Sequence, residues 1–285
     1  MLDLHAHSSA SDGSLPPAEL IELAEQVGLT ALALTDHDTV AGIDRAAAAA
    51  RGKRVRFVPG VEISTRLEGG TCHLVGLLID HESPELTAGL ERVQRMRSER
   101  NPRIVAALAR IGMPVSLEEA AEVSGGELVG RPHFARVMMR KGYVRDADEA
   151  FERYLGNGGP AHVPKERLEP AEGIRLIRAA GGVPILAHPD QTGRRGAALA
   201  ELVGALAEQG LAGLETRYSS PPAHAAAEYA RLARDNGLVE SGGSDFHGAA
   251  KPEIRLGRGF GNLHVPDAWL APIEETARAI REGRR

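Results

Sequence analysis

Leu2-Asp3-Leu4-His5, then a helix-forming stretch over residues 16–27, then Ala31-Leu32-Ala33-Leu34-Thr35 open the chain as strand, helix, strand. In the helical stretch Leu20, Leu23, Ala24 and Val27 fall on one face, and Gly28 stops the pattern. The rhythm continues outward. An alanine-rich helix is expected over 42–51, and strands over 56–61 and 72–78. Further strands read over 183–187, 213–216 and 238–241, with helices near 172–180, 197–209 and 223–236. Strands alternating with helices at this spacing argue for an α/β fold on a parallel sheet, open or closed into a barrel.

Residues 85–169 break the rhythm. They carry helical patterns only, over 86–100, 103–111, 117–123, 132–141 and 147–155. An all-helical block inside an α/β chain reads as an insert. The expected division is a barrel domain from residues 1–84 and 170–285, with an all-helical lid over 85–169.

A chain of 285 residues, 42% hydrophobic and 26% charged, has the make-up of one folded domain, or of one domain with an insert. The opening residues lack the basic and apolar regions of a secretory signal, and no apolar run approaches the ~20 residues of a membrane span. Cys72 is the single cysteine, which excludes an intrachain disulfide framework. These features fit a cytoplasmic enzyme with no membrane partner and no evident obligate protein partner. Residues 86–167 hold 14 Lys/Arg against 11 Asp/Glu, while the rest of the chain holds 20 against 28. Such a segment could face an anionic substrate; ordinary solvated helix surface reads the same way.

Chemistry concentrates where apolar strands give way to loops. His5 and His7 lie two apart, so on an extended strand both imidazoles project to one face and can grip one metal ion. Asp12 follows in Ser11-Asp12-Gly13, His37 in Asp36-His37-Asp38, and Glu62 in Gly60-Val61-Glu62. His73 opens the next strand, His188 closes one, and Asp245 and His247 sit in Ser244-Asp245-Phe246-His247. Imidazoles and carboxylates are the ligands of hard-to-borderline divalent ions. Single histidines at strand ends are usually structural; nine such residues at successive ends are not readily explained that way.

The series Asp3-Leu4-His5-Ala6-His7-Ser8 with Ser11-Asp12-Gly13, Thr35-Asp36-His37-Asp38-Thr39, Arg131-Pro132-His133 and Ser244-Asp245-Phe246-His247 resembles the polymerase-and-histidinol-phosphatase (PHP) family of metal-dependent phosphoesterases. The likeness is greatest to its nucleotide phosphatases and 5′-3′ exoribonucleases. It runs from Leu2 to His247 and includes the helical block. It implies a distorted seven-stranded (β/α) barrel, a helical lid and three divalent ions, with manganese, zinc and iron all suitable. Carried over by residue, His5, His7, Glu62 and Asp245 would hold the first ion. Glu62 would bridge to a second with His73 and His188, and Asp12, His37 and His247 would hold the third.

Three carboxylates against three divalent ions leave a positive site suited to a phosphoester. No serine or cysteine nucleophile is needed, and Ser8, Ser64 and Ser244 read as donors that orient the ligands. Arg131 and His133 flank Pro132 at a helix start, a natural phosphate site. Lys165 is expected to join them, and His133 is a candidate general acid. The substrate expected is a small phosphorylated nucleotide such as a 3′,5′-bisphosphate. The alternatives are 5′-3′ exoribonuclease action on short RNA and a histidinol-phosphatase-like activity. A non-catalytic metal-binding protein has no need of so full a ligand set. An amidohydrolase could use the same ligand types, and Arg131 tells against it.

Overall fold

The computed structural model describes residues 1–124, 129–164, 167–219 and 225–283. They form two compact units, Met1–Leu90 with Leu168–Arg285, and Glu91–Arg167. The first is α/β. Its strands are β1 (Leu2–Ala6), β2 (Ala31–Leu34), β3 (Arg56–Thr65), β4 (Cys72–Leu77), β5 (Val183–Leu186), β6 (Gly213–Arg217) and β7 (Val239–Gly242). They pair in sequential order as one curled sheet of seven strands. A parallel bridge between Ala6 and Phe246 ties the end of β1 to the segment after β7.

The sheet is not wholly parallel as expected. β1–β2, β2–β3, β5–β6 and β6–β7 pair in parallel, but β4 runs antiparallel to both β3 and β5. The reason is chain length. Only residues 66–71 separate β3 from β4, whereas a parallel crossover needs about a dozen residues or more. The reversal matters for the chemistry, because it brings the first residues of β4 to the rim where β3 ends; Ser64 pairs with His73.

The helices are α1 (Pro17–Gln26), α2 (Ile43–Ala50), α3 (Pro84–Arg110), α4 (Leu117–Ser124), α5 (Arg131–Arg140), α6 (Ala147–Ala150), α7 (Pro170–Ala179), α8 (Gly196–Glu208), α9 (Ala225–Asp235) and α10 (Leu270–Arg281). Two helices were expected where α3 runs unbroken through Pro102. An internal proline costs about 3 kcal/mol. Leu86, Leu90 and Val93 before it and Ile104 and Leu108 after it are all buried. At roughly 1.5–3 kcal/mol each, that burial outweighs the proline. α6 passes directly into a π-helical turn, Phe151–Leu155.

Strand alternation divides the first unit's core. Leu2, Leu4, Ala31, Ala33, Val58 and Ile185 gather with Ile273, Ala277 and Ile280 of α10, a helix beyond the last element read from the sequence. Leu32 and Leu34 turn the other way and pack on Leu20, Ile21 and Ala24 of α1. The buried stripe of α1 is thus rotated from the expected one; Leu23 is partly buried and Val27 exposed. The second unit has its own core, built on Ile104, Leu108, Phe134, Met138 and Leu155. Among the described residues no helix is long and apolar enough to cross a membrane.

One glycine is demanded by close approach. A Cβ on Gly243 would stand 2.4 Å from both Cβ and backbone nitrogen of His5. Overpacking of this kind costs about 1–3 kcal/mol. Gly243→Ala is therefore expected to lower Tm by several degrees in a thermal melt, and an unchanged Tm would show that β1 and β7 are not pressed together here.

Candidate metal centre

The rim of the sheet assembles one cluster. β1 delivers His5 and, one residue past its end, His7; the turn after β2 delivers His37, β3 delivers Glu62, and the reversed β4 delivers His73. His188 follows β5, and Asp245 and His247 follow β7. Asp12 comes from the loop after β1, where Gly13 lies so close to the His7 carbonyl that a Cβ would be 2.4 Å from it. All nine residues singled out in the sequence come together, in overlapping groups that could hold metal ions: His7, Asp12, His37 and His247; His5, His7 and Asp245; His5, Glu62 and His188; His37, Glu62 and His73.

Glu62 is the centre. Its Oε2 lies 3.3 Å from Nε2 of both His5 and His7 and 3.0 Å from His37 Nδ1. Its Oε1 lies 2.8 Å from His73 Nδ1 and 3.0 Å from His188 Nε2. Asp245 Oδ1 stands 3.2 Å from His7 Nε2, and Asp12 Oδ1 stands 3.3 Å from His247 Nε2. His5, His7 and Glu62 form a buried floor. Asp12, His37, His73 and Asp245 keep between 15% and 20% of their side chains exposed, which marks the open side.

The electrostatics are those of a site built for cations. Burial raises Glu62, but the surrounding imidazoles, His37 foremost, outweigh it and hold the carboxyl well below its ordinary range. Asp12 and Asp245 are likewise held low against burial, by His37 and His247 for the first and chiefly His247 and His7 for the second. Burial opposes protonation of His7, yet the Asp245 and Glu62 carboxylates close to its Nε2 lift it to about 9. Burial drives His73 the other way, to about 4. Meanwhile His5 Nε2, both nitrogens of His7, His37 Nδ1, His188 Nδ1 and Glu62 Oε2 are buried with no hydrogen bond among the described residues. Buried polar atoms are rarely left so, because each unmade bond costs about 1–3 kcal/mol. Imidazole lone pairs converging on a carboxylate fit divalent ions.

A ring of buried carboxylates holds the cluster in place. Asp3 accepts from Ser244 N and Oγ, at 2.8 and 2.5 Å, and from Gly257 N. Asp36 accepts from Ser8 N and Oγ and from Ser11 Oγ, all at 2.7 Å. Asp38 accepts from Ser64 N and Oγ. Ser8, Ser64 and Ser244 therefore orient the neighbours of the expected ligands rather than the ligands themselves. Glu215, which the sequence reading passed over, takes His5 Nδ1 at 3.1 Å and His188 N at 2.7 Å. The available signal was an acidic residue inside the apolar run Gly213-Leu214-Glu215. Backbone strain is concentrated here too. Of the four non-glycine residues with positive φ among the described residues, Asp38, His188 and Asp245 belong to this rim.

Arg131 and His133 stand in the helical unit. Arg131 opens α5, its Nη1 donates to the Leu155 carbonyl at 3.0 Å, and its guanidinium lies over the Phe151 ring. Burial and neighbouring Arg167 lower its pKa. His133 is buried, and its Nδ1 accepts the Gly130 N–H at 3.0 Å, closing the start of α5. Lys165 and His224 lie outside the described residues. His162 is pushed down by burial and by the charges of Arg131 and Arg100. His81 pairs with Asp44 at the surface, and Cys72 is buried on the strand face opposite His73.

Known proteins are similar to this chain in sequence and fold. The PHP domain family matches residues 3–156. A 5′-3′ exoribonuclease of Haemophilus influenzae is 40% identical over 86% of this chain and 89% of its own length. A 3′,5′-nucleoside bisphosphate phosphatase of Chromobacterium violaceum is 35% identical over 98% of both chains. Among solved structures, a protein of Bifidobacterium adolescentis regarded as a metal-dependent phosphoesterase superposes with a TM-score of 0.86, at 28% identity over 96% of each chain. An amidohydrolase of Chromobacterium violaceum, crystallised with sulfate and no metal, gives 0.84 at 33% identity over 96% of each.

The pKa of His7 makes a checkable statement. Because its folded value of about 9 lies above its ordinary 6.5, protonated His7 stabilises the metal-stripped fold fully below about 6.5. That contribution is lost as pH rises through about 9. The Tm of chelator-treated protein is expected to fall between pH 7 and 9.5. Manganese added at pH 7.5 in weak buffer should release protons, since an ion needs the unprotonated ring. A flat Tm and no proton release would refute the assignment.

Proposed function

The chain belongs to the PHP-domain family and is a hydrolase of phosphoric esters, and from that premise we propose that its substrates are small phosphorylated nucleotides, 3′,5′-bisphosphates first. The observation that carries the reading is Glu62, fully buried with five imidazoles within 3.3 Å. On this reading the centre takes three divalent ions of manganese, zinc or iron. As the family resemblance implies, His5, His7, Glu62 and Asp245 would hold one, Glu62, His73 and His188 a second, and Asp12, His37 and His247 the third; all nine belong to the overlapping groups at the rim. Bound ions of this kind supply positive charge for the phosphoryl oxygens and acidify the water that attacks phosphorus.

The protein's own groups do the rest. Glu62 stays ionised and keeps the imidazoles converged, and Glu215 fixes the His5 ring through Nδ1. On this reading the phosphate donors belong to the helical unit. Arg131 commits one N–H to Leu155 and keeps others for a phosphate. His133 accepts at Nδ1, so its neutral ring carries the proton on Nε2 and can donate it to the leaving oxygen. Arg167 adds positive charge beside Arg131, and His162, kept neutral by burial and by Arg131 and Arg100, adds a polar ring near it, which suits a second phosphate. The working compartment on this reading is the cytoplasm.

A second reading, 5′-3′ exoribonuclease action on short RNA, is favoured by the Haemophilus influenzae relative. Phosphate and nucleotide release, measured with manganese over mononucleotides, 3′,5′-bisphosphates and 5′-phosphorylated oligonucleotides, separates the two. Bisphosphates are expected to turn over fastest, and chelator to abolish activity. Faster oligonucleotide cleavage would support the second reading, and no release from any substrate would sink both.

Arg131→Ala removes charge-assisted bonds of about 1.5–3 kcal/mol, so kcat/KM should fall roughly ten- to a hundred-fold. Metal content should hold, and Tm should drop only by the loss of the Leu155 bond and the Phe151 contact. Unchanged kcat/KM on a cleaved substrate would remove Arg131 from the site.

A further inference from the structure

Lys251 sits four residues beyond His247, on the turn that follows the cluster's last loop. Its Nζ donates to Asp245 Oδ2 at 2.7 Å. The other oxygen of the same carboxylate, Oδ1, faces His7 Nε2 at 3.2 Å and His5 Nε2 at 3.6 Å. The two oxygens of Asp245 are thus in different company, one aimed at imidazoles and one held by an ammonium. The hold is built in. Asp245 sits at φ 55°, and its N–H donates to the His5 carbonyl at 2.9 Å. The turn carrying Lys251 is fastened to the Asp12 loop at Ser14, whose Oγ accepts from Ala249 N at 2.7 Å and whose N–H donates to the His247 carbonyl at 3.0 Å. The Lys251 side chain is 38% exposed, so its ammonium reaches the carboxylate from the open side of the cluster.

We propose that Lys251 is a positioning residue for the metal centre: by occupying Oδ2 it restricts Asp245 to coordination through Oδ1 alone, and so keeps one position on the ion open for water or a phosphoryl oxygen. The proposal rests on Asp245 as a metal ligand. It has a consequence that a merely structural lysine lacks. An ammonium beside a divalent ion repels it, so the centre gives up metal affinity for an open position. Removing Lys251 should tighten metal binding while slowing turnover. A lysine that only braced the turn would, when removed, weaken both.

Cobalt(II) tests this without relying on catalysis, because its visible absorption weakens as its coordination number rises. Lys251→Met is expected to bind cobalt about tenfold more tightly, as loss of one nearby unit charge allows. Its visible band should be weaker than wild type, as the second oxygen of Asp245 joins the ion. With manganese, kcat should fall by about tenfold, some 1.4 kcal/mol of barrier, with KM little changed. Lys251→Arg should restore the band and most of kcat. Lys251→Gln, which keeps a donor without the charge, should restore the band but not the weaker affinity, and it also serves if the methionine variant folds poorly. Unchanged cobalt affinity and spectrum in Lys251→Met would overturn the proposal, as would weaker affinity together with a lower Tm. Failure of the wild type to cleave any phosphoester would instead count against the proposed activity, and the cobalt comparison would still stand.

Discussion

Glu62 has no exposed surface, and five imidazole nitrogens lie within 3.3 Å of its two oxygens. An ionised carboxylate taken out of water is costly unless cations accompany it. The fold therefore has to bring positive charge to this one point, as protons on the histidines or as metal ions, and the two are alternatives. That competition links proton and metal chemistry throughout the centre. It also explains why the histidines do not share one character: His7 sits where two carboxylates favour its proton, and His73 where burial and like neighbours remove it.

The positions of the other elements follow from that point. Glu62 lies within a strand, so every partner has to reach it from a strand end or a loop. β3 is bound on one side to His37 through a short parallel bridge and on the other to the antiparallel β4 that presents His73. The loops are held by carboxylates that take backbone N–H groups as well as serine hydroxyls, so side chain and main chain are fixed by the same oxygen pair. Burial raises the pKa of Asp3 and Asp36 despite those bonds, a cost that the close-packed rim has to offset. Positive φ at Asp38, His188 and Asp245 is a further cost in the same place. Strain and buried charge at the centre are supported by the apolar cores on the two faces of the sheet.

Much of this was legible in the sequence, because strand ends, turns and ligand types are local signals. The seven strands and the nine clustered residues needed only periodicity and residue chemistry. What escaped reading was long-range. The direction of β4 depends on a loop too short for a crossover, a matter of counting that overrides the alternation of helices and strands. Glu215 bonds His5 from 210 residues away, and nothing near it in the chain announces a partner. Lys251 looks like an ordinary surface lysine until Asp245 turns toward it. Pro102 has the local signature of a helix break, and burial along α3 overrides it. Arg131 shows the same limit from the other side: its place at a helix start was readable, whereas its bond to Leu155 was not.

The choice between phosphatase and exoribonuclease cannot be made at the metal cluster, because cleavage at phosphorus asks the same of it in either case. It has to be made by whatever receives the rest of the substrate. In the helical unit burial and then the charge of Arg167 lower the pKa of Arg131, and burial and then the charges of Arg131 and Arg100 lower that of His162, so positive charge gathers around these two residues. Like charges kept together at that cost suit a compact dianion such as a single phosphate group. A polymer backbone is better served by charges spaced along a track, each meeting its own phosphate. The clustered pattern, in a chain of net charge −5, is thus the feature that the proposed preference for short substrates with a second phosphate rests on.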